Sequence, residues 1–111
     1  MAAKFEITKR KNGEFQFNLK AENGEIILTS EGYKTKASCN NGIESVIKNS
    51  AVDDHFEEKE ASNGKFYFNL KSGNGQIVGS SQMYASKATC ENGIKSVKKN
   101  APAAKIVDYK E

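Results

Sequence analysis

Apolar and polar residues alternate strictly along two stretches of the chain. The apolar positions of the two stretches are Phe15, Phe17 and Leu19, and Phe66, Phe68 and Leu70. A period of two is typical of a strand that buries one face. Asn-Gly pairs flank both stretches and predict type I′ hairpin turns, in which both central residues have positive φ. The pattern predicts six antiparallel strands, at about residues 4–10, 14–21, 25–31, 55–61, 65–72 and 76–81.

A helical period follows each set of three strands. The apolar residues with spacing i, i+4, i+7 are Cys39, Ile43 and Val46, and then Cys90, Ile94 and Val97. This spacing predicts one helix near 35–49 and one near 86–100. Thr35 and Ser86 are the predicted N-caps. Asn49 and Asn100 suit a left-handed residue at the C-terminal end, and Pro102 prevents the second helix from continuing.

Each predicted helix contains an Asn-Gly pair, although glycine costs about 1 kcal/mol relative to alanine inside a helix. Either the helix starts late, with Asn41 as its cap, or Gly42 lets the helix lie close on the sheet. The second copy has Lys95 where a late capping box would need glutamate. We therefore favour close packing, at Gly42 and at the equivalent Gly93.

The chain repeats itself after 51 residues, with Cys39 on Cys90 and Tyr33 on Tyr84. Copy one spans about 4–53 and copy two about 55–104, and the shift also predicts a final strand at about 105–109. A half of about 50 residues buries too little surface to fold alone. The sequence therefore predicts one α+β domain over 1–111, a tandem pseudo-two-fold β3-α-β repeat with one antiparallel sheet and two helices packed on one face. The segment near 54–60 would serve both as the last strand of copy one and as the first of copy two.

These residues resemble the YegP-like family of small bacterial proteins, a domain of unknown function that usually occurs as a tandem pair. The most specific pieces are Asn63–Lys71, Ser80-Ser81 with Tyr84 and Ser86-Lys87, and Gly93-Ile94 with Ser96-Val97. The resemblance covers nearly the whole chain. It implies exchanged C-terminal strands, and it implies that single-copy relatives build the same assembly as homodimers. It implies no activity, so no catalytic residue is carried over.

Charge and composition bound the possible partners. The net charge is +3 and the isoelectric point about 8.8, but Arg10 is the only arginine among 17 basic residues. This weakens the case for nucleic-acid readout, because the guanidinium fork is nearly missing. The N-terminus builds no apolar signal segment and no stretch approaches a membrane span, so we expect a cytoplasmic protein. We expect Cys39 and Cys90 to be buried, inert thiols.

Candidates for catalysis and metal binding are weak. His55 is the only histidine and cannot activate a nucleophile in both copies. The cluster Asp53-Asp54-His55 is interpreted as a solvated turn, because no ligand spacing accompanies it. Glu6, Glu57, Glu58 and Glu60 are interleaved with lysines and indicate an exposed strand face. The sequence predicts no catalytic residue, no metal and no cofactor.

Two candidate binding surfaces remain. The first is the polar side of the central strands, where an aromatic between lysines can stack a base and hold a phosphate. The second is the entrance to each helix, in the pattern Ser-x-x-Tyr-x-x-Lys. The candidate residues are Lys20, Tyr67, Asn69 and Lys71 on the sheet, and Tyr33, Lys36, Tyr84 and Lys87 at the helix entrances. The alternatives are an ordinary solvated sheet face, and tyrosine rings that pack under the helices.

The function indicated is that of a non-enzymatic, cytosolic binding module for a protein or a small ligand. The runner-up is a weak single-stranded nucleic-acid binder that uses the polar sheet face, and an enzyme comes third. We expect a monomer, because the repeat forms the dimer-like unit within one chain.

Overall fold

The computed structural model describes residues 3–108. Its strands are β1 (Lys4–Lys9), β2 (Phe15–Lys20), β3 (Ile26–Thr29), β4 (Phe56–Glu60), β5 (Phe66–Lys71), β6 (Ile77–Ser80) and β7 (Lys105–Val107), and its helices are α1 (Lys36–Asn49) and α2 (Lys87–Asn100). Short 3₁₀ turns at Asp53–His55 and Ala101–Ala103 lead out of the two helices. The predicted β3-α repeat, two helices and α+β class are confirmed.

All seven strands form one sheet, in the order β4-β5-β6-β3-β2-β1-β7. Every neighbouring pair is antiparallel except β1 and β7, which run parallel. The strand that follows α1 is β4, which pairs with β5 of copy two, and the strand that follows α2 is β7, which pairs with β1 of copy one. The C-terminal strands are therefore exchanged between the copies. Residue 109 of the predicted tail strand lies outside the described residues.

The type I′ turns are a wrong prediction. Gly13, Gly24, Gly64 and Gly75 have positive φ, but no non-glycine residue among those described does. At the first hairpin, the Gly13 amide donates to Arg10 O and the Arg10 amide donates to Glu14 O. This is a type I turn followed by a left-handed glycine. The asparagine stays right-handed because its side-chain oxygen accepts the amide proton of the residue two positions on, as Asn12 does from Glu14 at 3.0 Å.

The core lies between the sheet and the two helices. Its largest fully buried residues include Phe5, Phe17, Phe68, Leu19, Leu28, Ile43 and Leu70. Helix α1 packs on β2 of its own copy and on β5 and β6 of the other, and α2 packs on β5 and β3. Each helix therefore covers strands of both copies, and the two apolar strand rows form one core.

The bounds of both helices agree with the sequence prediction, but the conformation predicted for their last residues does not. Thr35 accepts the Ser38 amide proton, and Ser86 forms a reciprocal capping box with Thr89. Asn49 and Asn100 were predicted to be left-handed, which is wrong. Each instead keeps the right-handed conformation and donates its side-chain amide to a carbonyl one turn earlier, Asn49 to Ser45 at 2.7 Å and Asn100 to Ser96 at 2.8 Å.

Candidate functional site

The polar face of the sheet, on the side away from the helices, carries a continuous row of residues across the strands. The row is, from β4 to β1, Glu57, Asn69, Ser80, Thr29, Asn18 and Glu6. Its middle is the Thr29–Ser80 pair, the one place where β3 and β6 are in register. The predicted sheet-face candidates lie along this row or beside it.

The two candidate lysines on this face already have acidic partners. Lys20 Nζ lies 2.9 Å from Glu6 Oε1, and Lys71 Nζ lies 3.0 Å from Glu57 Oε2. A hydrogen bond from Lys20 holds the pKa of Glu6 below its ordinary value, and Lys71 does the same for Glu57. Phosphate contacts would have to compete with these pairs, so the geometry gives the nucleic-acid alternative little support.

Tyr67 and Asn69 differ in their exposure. Tyr67 is half-buried and lies opposite Lys59 of β4. Asn69 was expected on a solvated face, but it is only 5 % exposed, because it lies between Glu57 of β4 and Ser80 of β6 and accepts a 2.7 Å hydrogen bond from Ser80 Oγ. The structure therefore places Asn69 where a large ligand has little access to it.

The helix-entrance tyrosines pack under the helices, as the alternative interpretation expected. Tyr33 stacks on Phe17 with ring centroids 6.3 Å apart, and Tyr84 stacks on Phe68 at 6.4 Å. Each hydroxyl lies against the helix glycine of its own copy, where a Cβ atom would clash. Burial raises the pKa of both tyrosines. Close packing at these glycines is thus confirmed, although the group that approaches is the tyrosine rather than the sheet backbone.

The lysines of the same motif have different surroundings. Lys36 is partly buried and its ammonium lies 3.2 Å from Asp108 Oδ1, just after β7. Lys87, at the equivalent position of copy two, is exposed and forms no ion pair within residues 3–108. The repeat has therefore kept the lysine but supplied its acidic partner in only one copy.

The two cysteines are buried free thiols. Burial raises the pKa of Cys39 to about 11 and raises that of Cys90 as well. A thiol with a raised pKa forms little thiolate near neutral pH and is a poor nucleophile.

His55 is engaged in the structure, because its Nδ1 atom lies 2.7 Å from Asn49 Oδ1. Asp53 forms an ion pair with Lys98 of α2. Across residues 3–108 no three acidic, histidine or cysteine side chains come together as a metal site.

Two polar clefts, which the sequence did not predict, lie between the copies. The α1 cleft is formed by α1 and the β5–β6 turn, and its lining includes Asn41, Glu44, Ser45, Lys48, Asn49, His55 and Asn74. The α2 cleft is formed by α2 and the β2–β3 turn, and it is lined by Ala21, Glu22, Asn23, Asn92, Lys95, Ser96, Lys99 and Asn100. Most of these residues correspond under the shift of 51, so the clefts are related by the pseudo-two-fold axis. Each joins a helix to a turn of the other copy, which explains why no local motif marks it.

The two clefts have diverged at their floor and rim. In the α1 cleft, which measures 540 Å³, the side-chain oxygen of Asn49 is hydrogen-bonded to His55. In the α2 cleft, which measures 380 Å³, no described residue donates to Asn100 Oδ1, and position 95 is lysine where copy one has Glu44. The α2 cleft therefore offers a free acceptor at its floor and two exposed ammonium groups, Lys95 and Lys99, one helical turn apart.

The fold and these duplicated features can be compared with known proteins. The family model described as "Domain of unknown function (DUF1508)" matches residues 11–57 and again residues 61–108. The chain belongs to the DUF1508 family. The predicted resemblance to YegP-like proteins is thereby confirmed, and the family is an uncharacterised one with a tandem repeat.

Bacterial relatives match the chain over almost its full length. A UPF0339 protein of Pseudomonas aeruginosa is 60 % identical, with 97 % of this chain and 98 % of the relative covered. The solution NMR structure of Escherichia coli YegP, a protein of unknown function, superposes with a TM-score of 0.91 at 54 % identity, covering 97 % of this chain and 93 % of that one. A UPF0339 protein from Shewanella oneidensis gives a TM-score of 0.90 at 50 % identity, with coverage of 97 % and 92 %.

Neither α1 nor α2, nor any other helix within residues 3–108, combines the length and apolar character that a transmembrane span needs.

Proposed function

We propose that the protein is a non-enzymatic cytosolic binding module, and that the α2 cleft takes a small anionic ligand that also carries hydroxyl groups. The observation that carries the proposal is the divergence of two equivalent clefts. In copy one, the acceptor at the floor of the cleft, Asn49 Oδ1, is hydrogen-bonded to His55. In copy two, no described residue donates to the equivalent Asn100 Oδ1, which lines the same cleft as Lys95 and Lys99. The lysines supply the charge for the anion, and Asn100 Oδ1 can accept a hydrogen bond from a ligand hydroxyl.

The rest of the cleft suits the same ligand class. Ser96 Oγ accepts a hydrogen bond from the Asn100 side chain at 3.1 Å, and a hydroxyl that accepts one hydrogen bond can still donate another to a ligand. Asn23 and Asn92 add amide groups at the rim, and Glu22 is the acidic residue there. Ala21 is the one apolar residue in the lining of the cleft, which favours a hydrated polar molecule over an apolar one.

Several observations support a role without catalysis. The cysteine thiols have raised pKa values, and His55 is hydrogen-bonded to an amide rather than to a nucleophile. Neither feature provides the activated nucleophile or the tuned acid–base pair that enzymes use. A monomer is part of the proposal, because both copies contribute to one core.

The test is an NMR titration of the ¹⁵N-labelled protein with glycerol 3-phosphate, and separately with glycerol and with inorganic phosphate. We expect glycerol 3-phosphate to shift amide resonances of 92–100 and 21–24 more than either fragment does, because it engages both the lysines and Asn100. Lys99→Gln should weaken the binding, and Lys48→Gln, the same change in the α1 cleft, should not. Shifts spread evenly over lysine-rich surfaces, or an equal effect of the two substitutions, would contradict the proposal.

A further inference from the structure

The dipeptide Asn-Gly occurs six times in the chain, in two kinds of environment. Four pairs lie in hairpin turns and two lie inside the helices; they begin at Asn12, Asn23, Asn63 and Asn74, and at Asn41 and Asn92. All six asparagines are exposed. An asparagine followed by glycine loses its side-chain amide readily, because glycine has no Cβ atom to hinder its own backbone nitrogen. The same reaction can therefore be compared at six places in one molecule.

Deamidation of such a pair needs only water and the chain itself. The backbone nitrogen of the glycine bonds to Cγ of the asparagine and gives up its proton, the Cγ–Nδ2 bond breaks, and ammonia leaves. Water then opens the succinimide ring at either of its carbonyls and gives aspartate or isoaspartate. To react, the side chain must leave its hydrogen bonds and the local backbone must open. The rate at each pair therefore depends on what holds that pair in place.

The two helical pairs are held most strongly. Asn41 and Asn92 lie within α1 and α2, so ring closure requires part of a helix to open. The glycines that follow them, Gly42 and Gly93, are buried against tyrosine hydroxyls. We expect these two side-chain amides to persist in the folded protein.

The turn pairs share one hydrogen bond and differ in a second. In every turn the asparagine oxygen accepts the backbone amide proton of the residue two positions on. In the first hairpin of copy one, Asn12 also donates its side-chain amide to Glu14 Oε1 at 3.1 Å. The equivalent of Glu14 in copy two is Lys65, whose ammonium group cannot accept a hydrogen bond. Asn63 therefore lacks this second restraint.

The second hairpins differ in the opposite sense. In copy two, Asn74 Oδ1 also accepts a hydrogen bond from the Ser72 hydroxyl. The equivalent of Ser72 in copy one is Ala21, which has no hydroxyl. The backbone of the two turns is otherwise held alike, since Gly24 and Gly75 each donate to the carbonyl three residues earlier at 2.9 Å. The one side-chain hydrogen bond of Asn23 within residues 3–108 is therefore the bond that all four turns share.

We propose that Asn23 and Asn63 are sites of spontaneous deamidation, and that the reaction at Asn23 changes the charge of the α2 cleft. Asn23 lines that cleft together with Lys95 and Lys99, so its deamidation adds a carboxylate to the same lining. The reaction itself does not depend on the function proposed for the cleft, and its test can fail independently of the ligand titration.

The test is to age the intact protein in mildly alkaline buffer, digest it with trypsin and measure the deamidated fraction of each peptide by mass spectrometry. The peptides 21–34, 60–65 and 72–87 each contain one Asn-Gly pair, as do 37–48 and 88–95 from the helices. We expect Asn23 to react about threefold faster than Asn74, because one hydrogen bond less holds it. The helical pairs should react at least about tenfold more slowly than Asn23. In urea the turn and helix pairs should react at similar rates.

Matched substitutions in the two turns sharpen the test. Ala21→Ser should slow the reaction at Asn23, and Ser72→Ala should speed the reaction at Asn74. Lys65→Glu should likewise slow Asn63. A rate order that persists in urea would overturn the proposal, because neighbours in sequence rather than the fold would then determine it. So would helical amides that are lost as fast as that of Asn23, or a slower reaction at Asn74 in Ser72→Ala, which would mean that the hydroxyl assists the attack.

Discussion

Copy one and copy two bury almost the same residues and differ at their borders. In both, a tyrosine stacks on a phenylalanine beneath a helix glycine, with centroid separations of 6.3 and 6.4 Å and interplanar angles of 13° and 12°. The outer edge of copy one is occupied by β7, and the outer edge of copy two is open within the described chain. The duplication has kept the packing of the core, where every atom has close neighbours, and has allowed edges and clefts to diverge.

The largest loss of stability is expected from substitutions at the two helix glycines, where the copies have the same packing. Gly42→Ala and Gly93→Ala place a Cβ atom against the tyrosine hydroxyl and ring, and overpacking of this kind costs about 1–3 kcal/mol even though alanine favours the helix. Both variants should lower the free energy of unfolding in urea by similar amounts.

Gly73→Ala is the control for the two helix glycines, because its added Cβ atom meets nothing within 4 Å and its φ is ordinary. It should have little effect. A stabilising Gly42→Ala, or a large difference between Gly42→Ala and Gly93→Ala, would break the equivalence of the two copies.

A smaller loss of stability is expected from removing β7, which is present at the outer edge of only one copy. Ending the chain at Ala103 removes β7, and with it the hydrogen bond from the Lys105 amide to Ala3 O and the Lys36–Asp108 ion pair. All three residues of β7 are exposed, so we expect a loss of only about 1–2 kcal/mol, mostly from strand hydrogen bonds. Urea unfolding measures the loss, and Asp108→Asn separates the ion pair from the strand. A loss of many kcal/mol would mean that the tail belongs to the core.

The smallest loss of stability is expected on the polar sheet face, where each copy has one glutamate paired with a lysine. The pKa values of Glu6 and Glu57 lie below the ordinary value of 4.5. A carboxyl with a lowered pKa stabilises the fold above its unfolded pKa, and the contribution disappears as the pH falls through the folded pKa. The double variant Glu6→Gln, Glu57→Gln should therefore be slightly less stable than the parent protein at neutral pH, and the two proteins should converge below about pH 4. Urea midpoints across this range decide it, and a difference that persists in acid would exclude the ion pairs as its cause.

The sequence predicted the elements well because their causes are local. Alternation around Phe17 and Phe68, and the i, i+4, i+7 spacing from Cys39, determine which face of each element is buried. Turn geometry was harder to predict, because the side chain of Asn12 stabilises a right-handed residue that the Asn-Gly pattern alone does not distinguish. The clefts could not be predicted at all, since they bring Asn100 close to Asn23 of the other copy.

For the sheet-face candidates, too, contacts with other strands could not be predicted from the local sequence. Tyr67, Asn69 and Lys71 were correctly assigned to one strand and one side, apart from the core row. Their exposure depends on neighbours in other strands, and both Ser80 and Glu57 come from such strands. A single strand pattern gives the direction of a side chain but not its partner.

Each helix packs on strands of the other copy, and this packing affects how the chain folds during synthesis on the ribosome. Residues are added at about 5–20 per second, so copy one emerges seconds before copy two is complete. During that interval α1 lacks the β5 and β6 strands on which it packs, and β1 lacks β7. The apolar surface of copy one is then uncovered. We expect stable folding to begin only after β5 and β6 have been translated. Nascent chains stalled after residue 53 should consequently remain sensitive to protease, while chains stalled with the full length exposed should not.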